Sequence, residues 1–207
     1  LNKQWNLEFR INKKLATSDQ EYKQNKKKLQ ISKDATAALF LSTLPNEIFT
    51  KAALLEKEYK IESSLGKGEI SEIPWICIFD REITESAQNG FYIGYLFRAD
   101  LSGFYLTLNQ GWTQYDKTFK PKSQAKIEIK KNALKLKKTL KTVAGFSFND
   151  IDLKGSSDLA KGYELGNICS VFYDSKNLPN SSTILNDLQK LIGTYRELKS
   201  IVGNDIL

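Results

Sequence analysis

Leu65-Gly66-Lys67-Gly68-Glu69-Ile70-Ser71-Glu72-Ile73-Pro74-Trp75-Ile76-Cys77-Ile78-Phe79-Asp80 opens the stretch that decides the fold. After a polar loop it continues as Gly90-Phe91-Tyr92-Ile93-Gly94-Tyr95-Leu96-Phe97-Arg98 and Phe104-Tyr105-Leu106-Thr107-Leu108-Asn109-Gln110-Gly111-Trp112. Three apolar runs of strand length, rich in rings and branched side chains, are divided by polar or glycine-bearing loops, as neighbouring β-strands are. The run from Trp75 to Phe79 is apolar at every position, which predicts a central strand buried on both faces. Asp100-Leu101-Ser102-Gly103 is short enough to make the second and third runs a hairpin.

Alternation along residues 91–98 sends Phe91, Ile93, Tyr95 and Phe97 to one face and Tyr92, Gly94, Leu96 and Arg98 to the other. The first set is an ordinary core face. In the second, a glycine between a tyrosine and a leucine leaves a notch walled by a ring and an aliphatic chain. Glycine inside a strand weakens it and often marks the close approach of a ligand or another backbone. Another side chain can equally fill such a notch, and the strand alone leaves both readings open.

Upstream, Tyr59, Ile61, Ser63 and Leu65 alternate, which predicts an edge strand leading into Gly66-Lys67-Gly68. Glycines let backbone amides approach an anion closely, so this loop is a candidate phosphate contact, although a plain hairpin turn has the same composition. Earlier still, Ala37 to Leu41 is a short apolar helical segment. Ser42 or Thr43 is positioned to cap a second helix with Pro45 in its first turn and Ile48, Ala52 and Leu55 on one side. Residues 1–33 are rich in Lys, Asn and Gln and too poor in apolar residues to build a core. They read as a polar leader or linker, with Ser18 and Glu21 placed as a capping box, and residues 34–207 as a single domain.

Downstream, a long basic helix is expected from Ser123 to Ala144, stopped by Gly145. Ile129, Ala133, Leu136, Leu140 and Val143 form its apolar stripe, and lysines occupy much of the remaining surface. Those lysines, Lys131, Lys135 and Lys138 among them, either face solvent or face a polyanion. Phe146 to Leu153 is irregular and Gly155 to Asp158 a loop. Asn167 to Tyr173 is expected to be a strand that sends Ile168, Cys169, Val171 and Phe172 into the core. A last helix, capped near Asn180 and closed by Gly203, should cover one face of the sheet. The fold class is therefore α+β, a twisted and mainly antiparallel sheet flanked by helices.

Composition narrows the function classes. The formal charge of +7 points weakly toward a polyanionic partner. Histidine is absent, which excludes a His-dependent nuclease, a His-containing triad or a His-liganded zinc site within this stretch. Cys77 and Cys169 sit in apolar surroundings and read as buried free thiols, as in a reducing cytoplasm. No apolar run approaches the ~18 residues that a membrane helix needs, so no membrane partner is expected.

Gly66-Lys67-Gly68, Ile73-Pro74-Trp75, Ala87-Gln88-Asn89-Gly90-Phe91-Tyr92 with Leu96, then Leu106 to Gly111 and Gly162 to Ile168, together resemble the N-terminal DNA-binding domain of McrB-like proteins. The resemblance extends over residues 34 to 202. It implies a specificity domain of a modification-dependent restriction system. Such a domain binds duplex DNA at a modified cytosine, methylated or hydroxymethylated, and flips that base into an aromatic pocket. The pocket residues carried over are Trp75, Tyr92 and Leu96, with Tyr163 as a further tyrosine. The family's founding member has an aromatic residue between the two glycines of the Gly-x-Gly loop, propping the gap left by the flipped base; this chain has Lys67 there. Gly66, Lys67, Gly68, Lys131, Lys135 and Lys138 are then the expected contacts to DNA backbone. No catalytic residue, metal or cofactor is expected in the domain. The nuclease or AAA+ motor that it serves should lie in the same polypeptide or in a partner.

Two other classes fit single features. Asp116 with Glu128 and Lys130 has the outline of an acid…Glu-x-Lys magnesium nuclease site, but residues two apart on a helix point away from each other. A protein-interaction module would use the ring cluster as a hot spot.

Overall fold

The structure is a computed structural model, and it describes residues 35–66, 71–143 and 145–203. The leader with its Ser18–Glu21 capping box, together with Lys67 and Gly68, lies outside the described residues.

Five antiparallel strands form one open sheet in simple chain order: β1 (Tyr59–Ser64), β2 (Trp75–Asp80), β3 (Phe91–Phe97), β4 (Gly103–Gln110) and β5 (Cys169–Asp174). The three central runs are the strands that the sequence predicts, and the residues from Arg98 to Ser102 make the β3–β4 hairpin. Helices follow as α1 (Ala35–Ala38), a π-helical turn (Leu39–Thr43), α2 (Leu44–Lys51), α3 (Trp112–Thr118), α4 (Lys122–Thr139), α5 (Asp158–Gly166) and α6 (Ser181–Val202).

Both faces of the sheet are covered. Phe91, Ile93, Tyr95 and Phe97 pack with Ile76, Ile78, Leu106 and Leu108 against Phe40, Leu44 and Ile48 on one side and Leu188, Leu191, Tyr195 and Leu198 of α6 on the other. The Tyr195 hydroxyl fastens this layer: it donates to the Phe91 carbonyl at 2.6 Å and accepts from the Asp80 amide at 3.1 Å. On the opposite face, which carries Tyr92, Gly94 and Leu96, Leu96 lies under α5 and the loop before it, and Tyr92 packs with Cys77, Phe79 and Ala87. Helix α4 spans two clusters, with Ala125 and Ile129 against α3 and Ala133 and Leu136 in the core of the first layer. As a result β3 is buried along its whole length, which a strand gains only by being central in a three-layer α+β fold.

Several expectations are corrected. The segment at Thr43 is helical throughout and its side chain makes no cap, so the first helices run on through the π turn. Leu55 lies past the end of α2 and is exposed. The basic helix stops at Thr139 and not at Ala144, because the amides of Lys141 and Thr142 turn away to the Glu197 carboxylate of α6 at 2.8 and 2.9 Å. On β5, Phe172 points past the covering helices and is exposed, whereas Tyr173 enters the core. Helices α3 and α5 occupy stretches to which the sequence pattern assigns no element. Asn180 does cap α6, accepting from the Thr183 amide at 2.9 Å, and Gly203 ends it at φ 54°.

Candidate functional site

The covered face around Gly94 is where the predicted pocket residues meet. Trp75 and Leu96 are directly opposed across β2 and β3, and Cys77 is opposed to Gly94 one pair further along. Leu96 packs with Ile73, Ile151, Leu153, Ala160 and Tyr163, and Tyr92 packs with Cys77 and Phe79, its ring edge-on to Phe79 at 5.8 Å. Trp75 touches both groups. Tyr92, Leu96 and Tyr163 are buried, and Trp75 alone is half-buried, so it stands at the mouth of the cluster.

Tyr163 arrives from α5, which the sequence did not predict. Ser157 caps that helix by accepting from the Ala160 amide at 3.2 Å. Gly162 lets the helix lie against Trp112, whose ring would collide with any Cβ there. From below, the Asn109 side-chain amide donates to the Tyr163 carbonyl at 3.0 Å, and Thr107 donates to Asn167 at 2.6 Å. At its start, the Glu72 carboxylate accepts from the amides of Ser156 and Ser157 at 2.6 and 3.0 Å. Burial opposes the charge on Glu72, but the Ser157 side chain and the two amides outweigh it and hold the carboxyl down to about 2.

The tyrosines are neutral. Burial pushes Tyr92 and Tyr163 up, each also by the nearby Cys77 and Tyr92 additionally by Tyr163, so these groups face one another in a dry setting. The Tyr92 hydroxyl donates to the Gln110 carbonyl at 3.3 Å. The Tyr163 hydroxyl makes no hydrogen bond among the described residues and is not one of their enclosed, unpartnered polar atoms, so it keeps contact with solvent at the edge of the apolar cluster.

Beside the mouth, Ser64 of β1 is opposed to Trp75, so the Gly66 loop starts next to the indole. Gly66 has φ 107° and donates to the Ser64 hydroxyl at 3.1 Å, and the Ser71 amide closes the loop on the Leu65 carbonyl at 2.6 Å. Lys67 and Gly68, the rest of the expected backbone contact, lie outside the described residues.

The lysines of α4 divide into two sets. Lys122 and Lys126 pair with Asp158 at the start of α5 at 2.9 and 2.8 Å, and Lys130 pairs with Asp150. These ion pairs bind α4 to its neighbours. Lys131 is exposed and only loosely paired with Glu128 at 3.4 Å. Lys135 and Lys138 are exposed, with no carboxylate within reach among the described residues. The three lysines expected to meet phosphate are thus the ones that the fold leaves available.

Two members of the nuclease constellation are engaged by other side chains. Lys130 is engaged by Asp150, and Glu128 accepts from Gln124 at 2.9 Å and from Lys131. Asp116 lies on α3, and no group of three metal-ligating side chains converges among the described residues. Among those residues no helix is long and apolar enough to cross a membrane.

The sequence model of one protein family, described as MrcB-like, N-terminal domain, matches residues 19–200. No curated protein and no solved structure matches the chain.

Proposed function

The chain belongs to the MrcB-like N-terminal domain family, and from that premise we propose that it reads a modified cytosine in duplex DNA by flipping the base into the cluster of Trp75, Tyr92, Leu96 and Tyr163. The N-terminal domain of this family is a DNA-binding module of restriction systems and is not itself catalytic. The finer reading adds the modified base, the pocket and a cytoplasmic setting beside a nuclease or AAA+ motor.

One observation supports it: a half-buried tryptophan packs against the buried cluster that holds Leu96 and Tyr163, at the root of the Gly66 loop. An indole at the mouth supplies a stacking face. The Tyr163 hydroxyl, which no described side chain engages, would supply a hydrogen bond to a base edge. Extruding a base costs a few kcal/mol, recovered from stacking and from phosphate contacts. Gly66, Lys67 and Gly68 would approach the backbone near the vacated stack, and Lys131, Lys135 and Lys138 would add charge.

The test compares duplexes alike except for one cytosine, unmodified, 5-methylated or 5-hydroxymethylated. Trp75→Ala should weaken modified-site binding by about 1–3 kcal/mol while salt-dependent binding to plain DNA survives. Tyr92→Ala empties a fully buried site and should also lower the melting temperature, so Trp75→Ala is the cleaner probe. A fluorescent adenine analogue beside the modified base should brighten on binding as stacking is lost. Unchanged fluorescence at every position, with Trp75→Ala folded and fully competent, would sink the pocket.

A further inference from the structure

Gly94 is buried in the middle of the central strand, where glycine is less stable than alanine because it leaves more chain entropy to be lost and packs nothing. At Gly103, Gly111, Gly155, Gly162 and Gly166 the fold demands the missing side chain, since a Cβ would collide with backbone or a neighbouring side chain. Gly90 adopts φ 61°, which favours glycine on its own account. Neither reason holds at Gly94. Its φ is not positive, and a Cβ there would lie 3.4 Å from Leu96 Cδ2 and 3.6 Å from Cys77 Sγ, ordinary contact distances.

The fold therefore has room for an alanine at a position where alanine would pack better, and the residue is glycine nonetheless. Opposite it stands Cys77, itself a small side chain, buried and free. The same face carries Tyr92 and Leu96 on either side of Gly94 and Trp75 next to Cys77. A small pair thus lies between large neighbours, with Leu96 and Cys77 at contact distance from the position that one added methyl group would take.

Resting on the reading of the cluster as a modified-base pocket, we infer that Gly94, with Cys77 opposite it, sets the size of the cytosine C5 substituent that the pocket accepts. Tyr92, Trp75 and Tyr163 hold the base, and the Gly94–Cys77 floor receives what projects from it. Gly94 is a specificity-determining residue in this scheme, and Cys77 acts by its volume and not by its thiol chemistry.

The experiment uses the whole chain and Gly94→Ala and Cys77→Ala variants. Each is titrated with duplexes carrying cytosine, 5-methylcytosine, 5-hydroxymethylcytosine or glucosylated 5-hydroxymethylcytosine at one site, beside a thermal melt. Gly94→Ala should melt at or above the wild-type temperature, keep its affinity for unmodified DNA, and lose about tenfold or more for the modified duplex that the wild type prefers. Cys77→Ala should shift preference toward the bulkier substituents. A wild-type ranking retained by both variants would overturn the inference while leaving the pocket itself intact. A Gly94→Ala protein that melts well below wild type would overturn it too, by showing that the fold needs the glycine. A wild type without preference among the duplexes would instead defeat the pocket reading, and the inference with it.

Discussion

The Asn109 side-chain amide donates to the backbone carbonyl of Tyr163 at 3.0 Å and thereby ties α5 to strand β4. Both ends of this bond are buried, and Asn109 also accepts from the Gln110 amide at 2.7 Å. The bond fixes the backbone from which Tyr163 joins the cluster around Leu96. Asn109→Ala leaves a buried carbonyl unpaired and should cost about 1–3 kcal/mol of stability by denaturant titration. If Tyr163 contributes to the pocket, affinity for the modified site should fall further than affinity for plain DNA. A variant as stable as wild type would show that α5 is held by its apolar contacts alone.

The two sets of α4 lysines should behave differently. Binding to duplex DNA is expected to fall steeply with salt, each phosphate contact contributing about −0.9 to the log–log slope. Replacing Lys131, Lys135 and Lys138 with glutamine should weaken all duplexes alike and flatten that slope by about one unit per lost contact. Lys130→Gln removes a charge already paired with Asp150 and should leave the slope nearly unchanged. Unaltered affinity and slope in the triple variant would make the exposed side of α4 a solvated face only.

Glu72 gives a pH prediction. Its carboxyl is lowered from an ordinary 4.5 to about 2, so the folded state binds its proton less readily than the unfolded chain does. The resulting stabilisation is complete above about pH 4.5 and is lost as pH falls through about 2. Glu72→Gln should therefore flatten the dependence of melting temperature on pH across that window. The side chain is only partly buried, so the effect is modest, and an identical pH profile for the variant would remove Glu72 as a clamp on α5.

With Lys130 held by Asp150 and Glu128 held by Gln124 and Lys131, cleavage is not expected from this domain. Incubation with modified or plain duplex and magnesium or manganese should leave the DNA intact on a denaturing gel. Cleavage that vanishes in Glu128→Ala would contradict the binding-module reading.

Local pattern accounts for what was readable in advance. Alternation in Phe91 to Phe97 and the unbroken apolar run at Trp75 to Phe79 specify strands and faces, because the side-chain period of a strand leaves no other way to bury them. The α6 stripe and the Asn180 cap are equally local, depending on residues three and four apart. By contrast, α5 holds two glycines in nine residues and has little helical preference of its own. It forms where Gly162 fits against Trp112, where Asn109 holds its carbonyl and where Glu72 holds the amides before it.

By itself, the sequence determined the antiparallel sheet, the two faces of β3, the place of Gly94 between Tyr92 and Leu96 on one of them, and the excess of lysine on α4, since each follows from residue type and spacing along one element. Only the tertiary structure decided that Tyr163 stands beside Trp75 and Leu96, that no described side chain engages its hydroxyl, and which lysines are consumed by Asp150 and Asp158. These depend on contacts between residues tens of positions apart, whose free energy exists only once the helices have docked on the sheet.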